Sequence, residues 1–253
     1  MKRTWGDAGP EAVLLHGALA DGGMWNGLAR VLGRSMRLTA PDLVGHGSAP
    51  DRDPARDFLD QTAAAVLATL PDRPVHLVGH SLGGAVALRV AVEAPGRVAS
   101  LVLFEPVIFA AAGQGKGRAA TAARIAGLRP LVEAGRLREA ADLFLSVWGG
   151  GVRLSDMAPE RAAYVAERIP LILAEEPGID DDAGRILPRL GDVSVPVLLI
   201  DGDESPEVVP EVMAALETAL PDARRVTIAK AAHMLPMTHP GPCAKAIREF
   251  LGV

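Results

Sequence analysis

A serine flanked by glycines, Gly79-His80-Ser81-Leu82-Gly83, interrupts an apolar run that begins at Val75 and resumes in helical spacing through Leu88. A serine hydroxyl at its ordinary pKa is a poor nucleophile. A chain that uses one must hold it on a tight strand-to-helix turn, with a base and an anion-stabilising pocket beside it. Glycines at 79 and 83 let neighbouring backbone crowd that turn. The pentapeptide alone recurs by chance. With a strand before it and a helix after it, the segment reads as a nucleophile elbow with Ser81 at its tip.

The surrounding elements follow from periodicity and punctuation. Ala12 to Leu15 is a short apolar run ending in His16-Gly17, followed by a Gly-rich loop over 18–23 and a helix over 24–32. A second strand covers 36–40 and ends in the turn-rich Pro41-Asp42-Leu43-Val44-Gly45-His46-Gly47-Ser48. A helix over 58–70 precedes the elbow strand. A helix over 81–94 follows it, stopped by Pro95-Gly96, and the next strand is 100–104. From 106 to 193 no strand pattern appears. Helical spacing over 118–126, 131–144 and 160–173 is separated by Gly or Pro, and 110–117 reads as mobile. The earlier rhythm then returns with a strand at 196–200, a helix over 210–220, a strand at 224–228 and a helix over 241–251. This predicts an α/β chain: a mostly parallel, doubly wound core of 1–105 and 194–253, with an inserted helical cap over 106–193.

Composition narrows the function classes. The 253 residues suit one large α/β domain, and 49% apolar against 23% charged residues suits helices packed on a buried sheet. A net charge of −5 without a Lys/Arg cluster gives no reason to expect nucleic acid or an anionic membrane as partner, and leaves a small-molecule substrate. Cys243 is the only cysteine, so no disulfide forms within the chain. No leader-like or membrane-length apolar run follows Lys2-Arg3, and the expectation is a cytoplasmic monomer or homodimer. There is no His-x-x-x-His, no Cys pair and no Gly-rich lysine loop, so neither a metal nor a cofactor is expected. Asp180-Asp-Asp182 reads as a solvated loop.

His16-Gly17, Asp42 to Ser48, the elbow and Ala231-Ala-His-Met234, in that order, make the chain resemble the α/β-hydrolase superfamily everywhere outside the cap. The resemblance implies Ser81 as nucleophile and His233 as base. It implies an oxyanion hole built from the backbone N–H of Leu82 and of Ala18, with Leu19 as the alternative to Ala18. His16 and His46 take turn-shaping roles and His80 packs at the elbow. His76 begins a buried strand, and His239 stands before Pro240 at the last helix. The amino terminus is short for the fold, which implies that one edge strand is missing. The acid departs from the pattern: where the family reads Gly-x-x-Asp, this chain has Gly202-Asp203-Glu204-Ser205. A serine cannot stabilise an imidazolium as a carboxylate does. Glu105, at the end of the strand after the elbow helix, is the first candidate, because some superfamily members supply their acid from there. Asp203 is the alternative and Asp201 the third.

The expected activity is a serine esterase cleaving a small ester, thioester or lactone through an acyl-enzyme. Serine at 81 argues against the epoxide hydrolases and dehalogenases that use Asp on a similar scaffold. A second reading keeps these residues for C–C bond hydrolysis or elimination on a carboxylate-bearing substrate. Its sign would be Arg118, Arg124, Arg129, Arg136 or Arg153 facing Ser81. A third, a non-catalytic ligand-binding protein, is motivated by the missing Asp. Phe109, Phe144, Trp148 and Met157 are expected to set acyl-chain preference.

Overall fold

Alternate side chains along each central strand pack into different cores, which is why the strands read as continuous apolar runs. The computed structural model describes residues 2–253. Its strands are β1 (Lys2–Trp5), β2 (Glu11–Leu15), β3 (Arg37–Pro41), β4 (Val75–His80), β5 (Val98–Phe104), β6 (Val197–Gly202) and β7 (Ala223–Ile228). They form a seven-stranded sheet in the order β1-β3-β2-β4-β5-β6-β7, parallel except where β1 pairs with β3.

Flanking the sheet are α1 (Asn26–Leu32), α2 (Phe58–Thr69) and α3 (Leu82–Glu93). Between β5 and β6 come α4 (Lys116–Ile125), α5 (Leu128–Glu133), α6 (Leu137–Trp148), α7 (Pro159–Arg168) and α8 (Pro170–Asp180). The chain closes with α9 (Val208–Ala219), α10 (Leu235–Thr238) and α11 (Pro240–Leu251). Val13, Leu15, Leu77, Leu101, Leu103 and Leu199 share one core with α2, α3 and α9. Leu14, Val78, Val102, Phe104, Leu198 and Ile200 share the other with α1 and α11. The helices between β5 and β6 carry a third core, which includes Leu128, Ala140, Ala141, Val165, Ile169 and Ile172.

Three expectations are corrected. The short amino terminus holds a strand of its own, β1, at the sheet edge beside β3; its residues are mostly exposed, so no burial pattern marks it in the sequence. The helix expected over 131–144 is two, α5 and α6, separated where Gly135 turns left-handed at φ 71°. The helix over 160–173 is also two, α7 and α8, with Pro170 at the start of the second. In both cases the paired helices bury side chains in the same core, so the apolar period runs on across the break. Residues 110–117 lead into α4, whose first N–H groups, of Gly117 and Arg118, donate to the Glu211 carboxylate at 2.7 and 2.9 Å. The acidic run is tied in as well: Asp182 accepts from the N–H of Ile186 and of Leu187, and Asp180 faces Arg118. No helix among the described residues is long and apolar enough to cross a membrane.

Candidate active site

In register, Leu15 lies beside Gly79, His80 beside Phe104, and Phe104 beside Ile200, so the parallel strands end along one edge of the sheet. The candidate residues leave from these ends, where open α/β sheets bind ligands. Ser81 follows β4 with φ 54° and ψ −119°. Such backbone costs about 1–3 kcal/mol in a residue with a Cβ and persists where the surroundings over-determine it. Here the Ser81 N–H donates to the Phe104 carbonyl at 2.9 Å, and the Ser81 carbonyl accepts from Gly84 and Ala85 as α3 begins. A Cβ on Gly79 would fall on the Gly83 carbonyl, and one on Gly83 would fall on the Leu15 carbonyl. The glycines are therefore required by close approach.

Glu105 follows β5, where the chain turns with φ 44° and aims the carboxylate along the strand ends. One oxygen, Oε2, lies 2.8 Å from His233 Nδ1. The other, Oε1, accepts from the Gly202 N–H at 2.8 Å and from the Ser205 hydroxyl at 2.6 Å. The residue is 1% exposed. Asp203 is exposed instead, and accepts from the Lys230 N–H at 2.6 Å. Asp201 is buried between Arg225 and the Thr227 hydroxyl, where it braces β6 against β7. Of the three carboxylates, Glu105 is the one in contact with His233. Ser205, standing in the family's acid position, touches that carboxylate and helps to orient it.

The His233 ring is buried against two aromatic neighbours. Trp148 meets it edge-on with ring centres 4.7 Å apart, and the His80 ring lies 4.7 Å away on another side. His80 Nε2–H donates to the His233 carbonyl at 2.8 Å, tying the elbow to the loop after β7. With Nδ1 of His233 directed at Glu105, its Nε2 is the nitrogen left for proton exchange.

The His-Gly loop is held by two further histidines. His16 Nε2 accepts from the Leu43 N–H at 2.9 Å while Nδ1–H donates to the Gly17 carbonyl. His46 Nε2 accepts from the Leu19 N–H at 3.0 Å while Nδ1–H donates to the Val44 carbonyl. Leu19 is therefore corrected as an oxyanion donor, because its N–H is engaged by His46. Ala18 and Ser81 line the same cavity walls, and Leu82 opens α3. Burial pushes the His16, His46 and His80 imidazoles down, His46 to about 3, where the positive His16 would also repel it. All three serve as neutral struts. His76 bonds Ser100 within the sheet and His239 bonds Thr238, and neither ring lines a cavity that Ser81 lines.

Two cavities meet at the serine. One of about 530 Å³ is lined by Ser81, His80, His233, Phe144, Trp148 and Met157, among others. A second, of about 470 Å³, shares Ala18, Ser81, Phe144 and Trp148 with it and extends past Phe109 under α4, α5 and α8. All four residues expected to shape the acyl site thus line one or both. The five arginines are all ion-paired, Arg118 with Asp180, Arg124 with Glu207, Arg129 with Glu176, Arg136 with Glu139 and Arg153 with Asp156, and of them Arg129 also lines the second cavity. Sequence reasoning missed Arg161 and Tyr164 of α7. These donate to the Leu19 and Ala20 carbonyls at 2.9 Å and fasten the helical insertion to the His-Gly loop.

Comparison with known proteins bears on the family and the fold. The model of the alpha/beta hydrolase family matches residues 12–246. The pimeloyl-[acyl-carrier protein] methyl ester esterase of Aeromonas salmonicida is 31% identical over 248 residues, covering 96% of either chain. That of Methylococcus capsulatus is 35% identical over 264 residues, covering 96% of this chain and 95% of its own. Among solved structures, a hydrolase from Pseudomonas aeruginosa superposes with a TM-score of 0.75 at 24% identity, covering 100% of this chain and 94% of its own.

Proposed function

This chain belongs to the alpha/beta hydrolase family, and from that premise we propose that it is a serine esterase cleaving a small carboxylic ester through an acyl-enzyme. The carrying observation is the His233 Nδ1 to Glu105 Oε2 contact of 2.8 Å at a cavity that Ser81 also lines. Glu105 holds the imidazole in the tautomer with its proton on Nδ1, so Nε2 takes the Ser81 proton as Oγ attacks the ester carbonyl. The resulting oxyanion sits against the N–H groups of Leu82 and Ala18, each worth roughly 3 kcal/mol to the transition state. His233 then returns its proton to the departing alcohol. Water, deprotonated by the same nitrogen, attacks the acyl-enzyme and frees the acid.

Residues 106–193 act in this reading as the cap that walls the substrate site, a role supported by Phe109, Phe144, Trp148 and Met157 in the cavity walls. The two relatives named as methyl ester esterases support an ester as the substrate bond. A C–C or elimination substrate would need a cation at the site. Arg161 lines the first cavity and Arg129 the second, but each is paired with a carboxylate, Asp21 and Glu176, as are the other four arginines, so this reading has less support than the esterase one.

The test is a panel of p-nitrophenyl esters of graded acyl length with wild type and Ser81→Ala. Turnover should fall by about a thousand-fold or more in the variant, with its circular dichroism unchanged. An active-site phosphonate should label wild type at Ser81 by peptide mass spectrometry. Substantial activity in Ser81→Ala would sink the assignment.

A further inference from the structure

The second cavity contains a group that the hydrolytic machinery does not use. Glu175, on α8, is 4% exposed and lines the cavity, and its Oε1 has no hydrogen-bond partner. No ion pair among the described residues includes it. The nearby charges are matched elsewhere: Arg129 with Glu176 and Glu133, Arg118 with Asp180. Burial alone pushes its carboxyl well up, towards the neutral acid. A buried polar atom without a partner is destabilising, a cost that a leucine at this position would avoid. Nothing within the chain offsets it, so the compensating partner is sought in what fills the cavity.

We propose that Glu175 is the polar anchor of the acyl subsite and binds an acyl chain bearing a neutral oxygen function, foremost a hydroxyl, at its far end. This rests on the esterase reading of Ser81. The cavity is assigned to the acyl arm by proton logic. The departing alcohol must receive its proton from His233, and His233 lines the first cavity but not the second. The alcohol therefore leaves through the first cavity and the acyl chain occupies the second. Chemistry selects the terminal group. The walls are largely apolar, with Val107, Phe109, Ile125, Leu128 and Ile172 among them, so stripping water from an ammonium ion would be costly. A carboxylate would meet Glu176 and Asp180 in the same wall, where the cation Arg129 is already paired with Glu176 and Glu133. A hydroxyl is neutral, accepts from the carboxylic O–H and donates to the carbonyl oxygen, satisfying both sides of the acid.

The experiment compares p-nitrophenyl ω-hydroxyalkanoates of graded length with the alkanoates in which a methyl group replaces the hydroxyl. At the length that reaches Glu175, wild type should favour the hydroxy ester about ten-fold in kcat/KM, mostly through KM, the size of one net hydrogen bond. Glu175→Gln, which keeps a neutral donor and acceptor, should retain the preference. Glu175→Leu should lose or invert it, with thermal melts checking that both variants fold. Equal kcat/KM for the two series at every length overturns the proposal, as does an unchanged preference in Glu175→Leu. An ω-amino ester preferred over the hydroxy ester also overturns it, in favour of a cation site. Failure of the esterase reading is distinguishable, because methyl ω-hydroxyalkanoates can be titrated onto the Ser81→Ala protein by tryptophan fluorescence. Tighter binding than the methyl alkanoates, lost in Glu175→Leu, supports the anchor even if no ester is turned over. Equal binding of the two overturns it.

Discussion

Both oxygens of Glu105 are occupied, one by His233 and the other by the Gly202 N–H and the Ser205 hydroxyl. That geometry makes the carboxylate an orienting group, which an amide replaces poorly because it can present its NH₂ to Nδ1 and favour the wrong tautomer. Glu105→Gln should therefore lower kcat on a p-nitrophenyl ester by roughly a hundred- to ten-thousand-fold. Asp203→Asn, which disturbs only an exposed contact with the Lys230 N–H, should change kcat less than about three-fold, the scale of a surface substitution. The opposite ranking would move the acid to the loop after β6. The sequence ranked Glu105 first of three carboxylates but could not decide among them, because Glu105 and His233 are far apart along the chain and meet only across the sheet edge. Ser205 was the one local hint, since it stands where the family has its acid.

At the scale of elements, the acid can be read as a group that two adjacent strand ends are able to supply. The Ser205 hydroxyl after β6 lies 2.6 Å from the carboxylate that comes from the end of β5. Exchanging the two should therefore partly restore what removal of Glu105 destroys. Glu105→Ser alone should lose about three orders of magnitude in kcat/KM, and adding Ser205→Asp should recover about ten-fold or more. Absence of any recovery would mean that the loop after β6 cannot aim a carboxylate at His233. The elbow is less tolerant, because its glycines abut carbonyl groups of neighbouring backbone. Gly83→Ala should displace β2 from α3 and lower the melting temperature together with activity, whereas Ser81→Ala lowers activity alone.

Over the whole molecule, buried titratable groups set how stability responds to pH. The folded His46 imidazole is pushed down to about 3, against an unfolded value of roughly 6.5. Between these the unfolded chain binds a proton that the folded chain refuses. Stability is then fully present above about pH 6.5 and is lost as pH falls through that window. His16 and His80 are shifted in the same direction. The urea midpoint should accordingly drop between about pH 7 and about pH 5. Glu175 acts with the opposite sign. Its carboxyl is pushed up, so it holds a proton that the unfolded chain releases, and stability declines as pH rises above the ordinary carboxylate range. Glu175→Gln should raise the midpoint more at about pH 8 than at about pH 5; an equal gain at both would mean that the carboxyl is not buried as a neutral acid.

What the sequence determined by itself is whatever short-range patterning controls. Runs such as Leu101 to Phe104 face two cores and can be recognised from a few consecutive residues. The elbow is equally local, since its turn needs glycines at fixed offsets from Ser81. The order of strands and helices gave the α/β class for the same reason. Only the tertiary structure decided which carboxylate meets His233, that the Leu19 N–H belongs to His46, that α5 and α6 part at Gly135, and that an unpartnered Glu175 borders a cavity beside the serine. Each depends on contacts between residues distant in the chain, or on a break that leaves the apolar period intact. Neither leaves a local mark in the sequence.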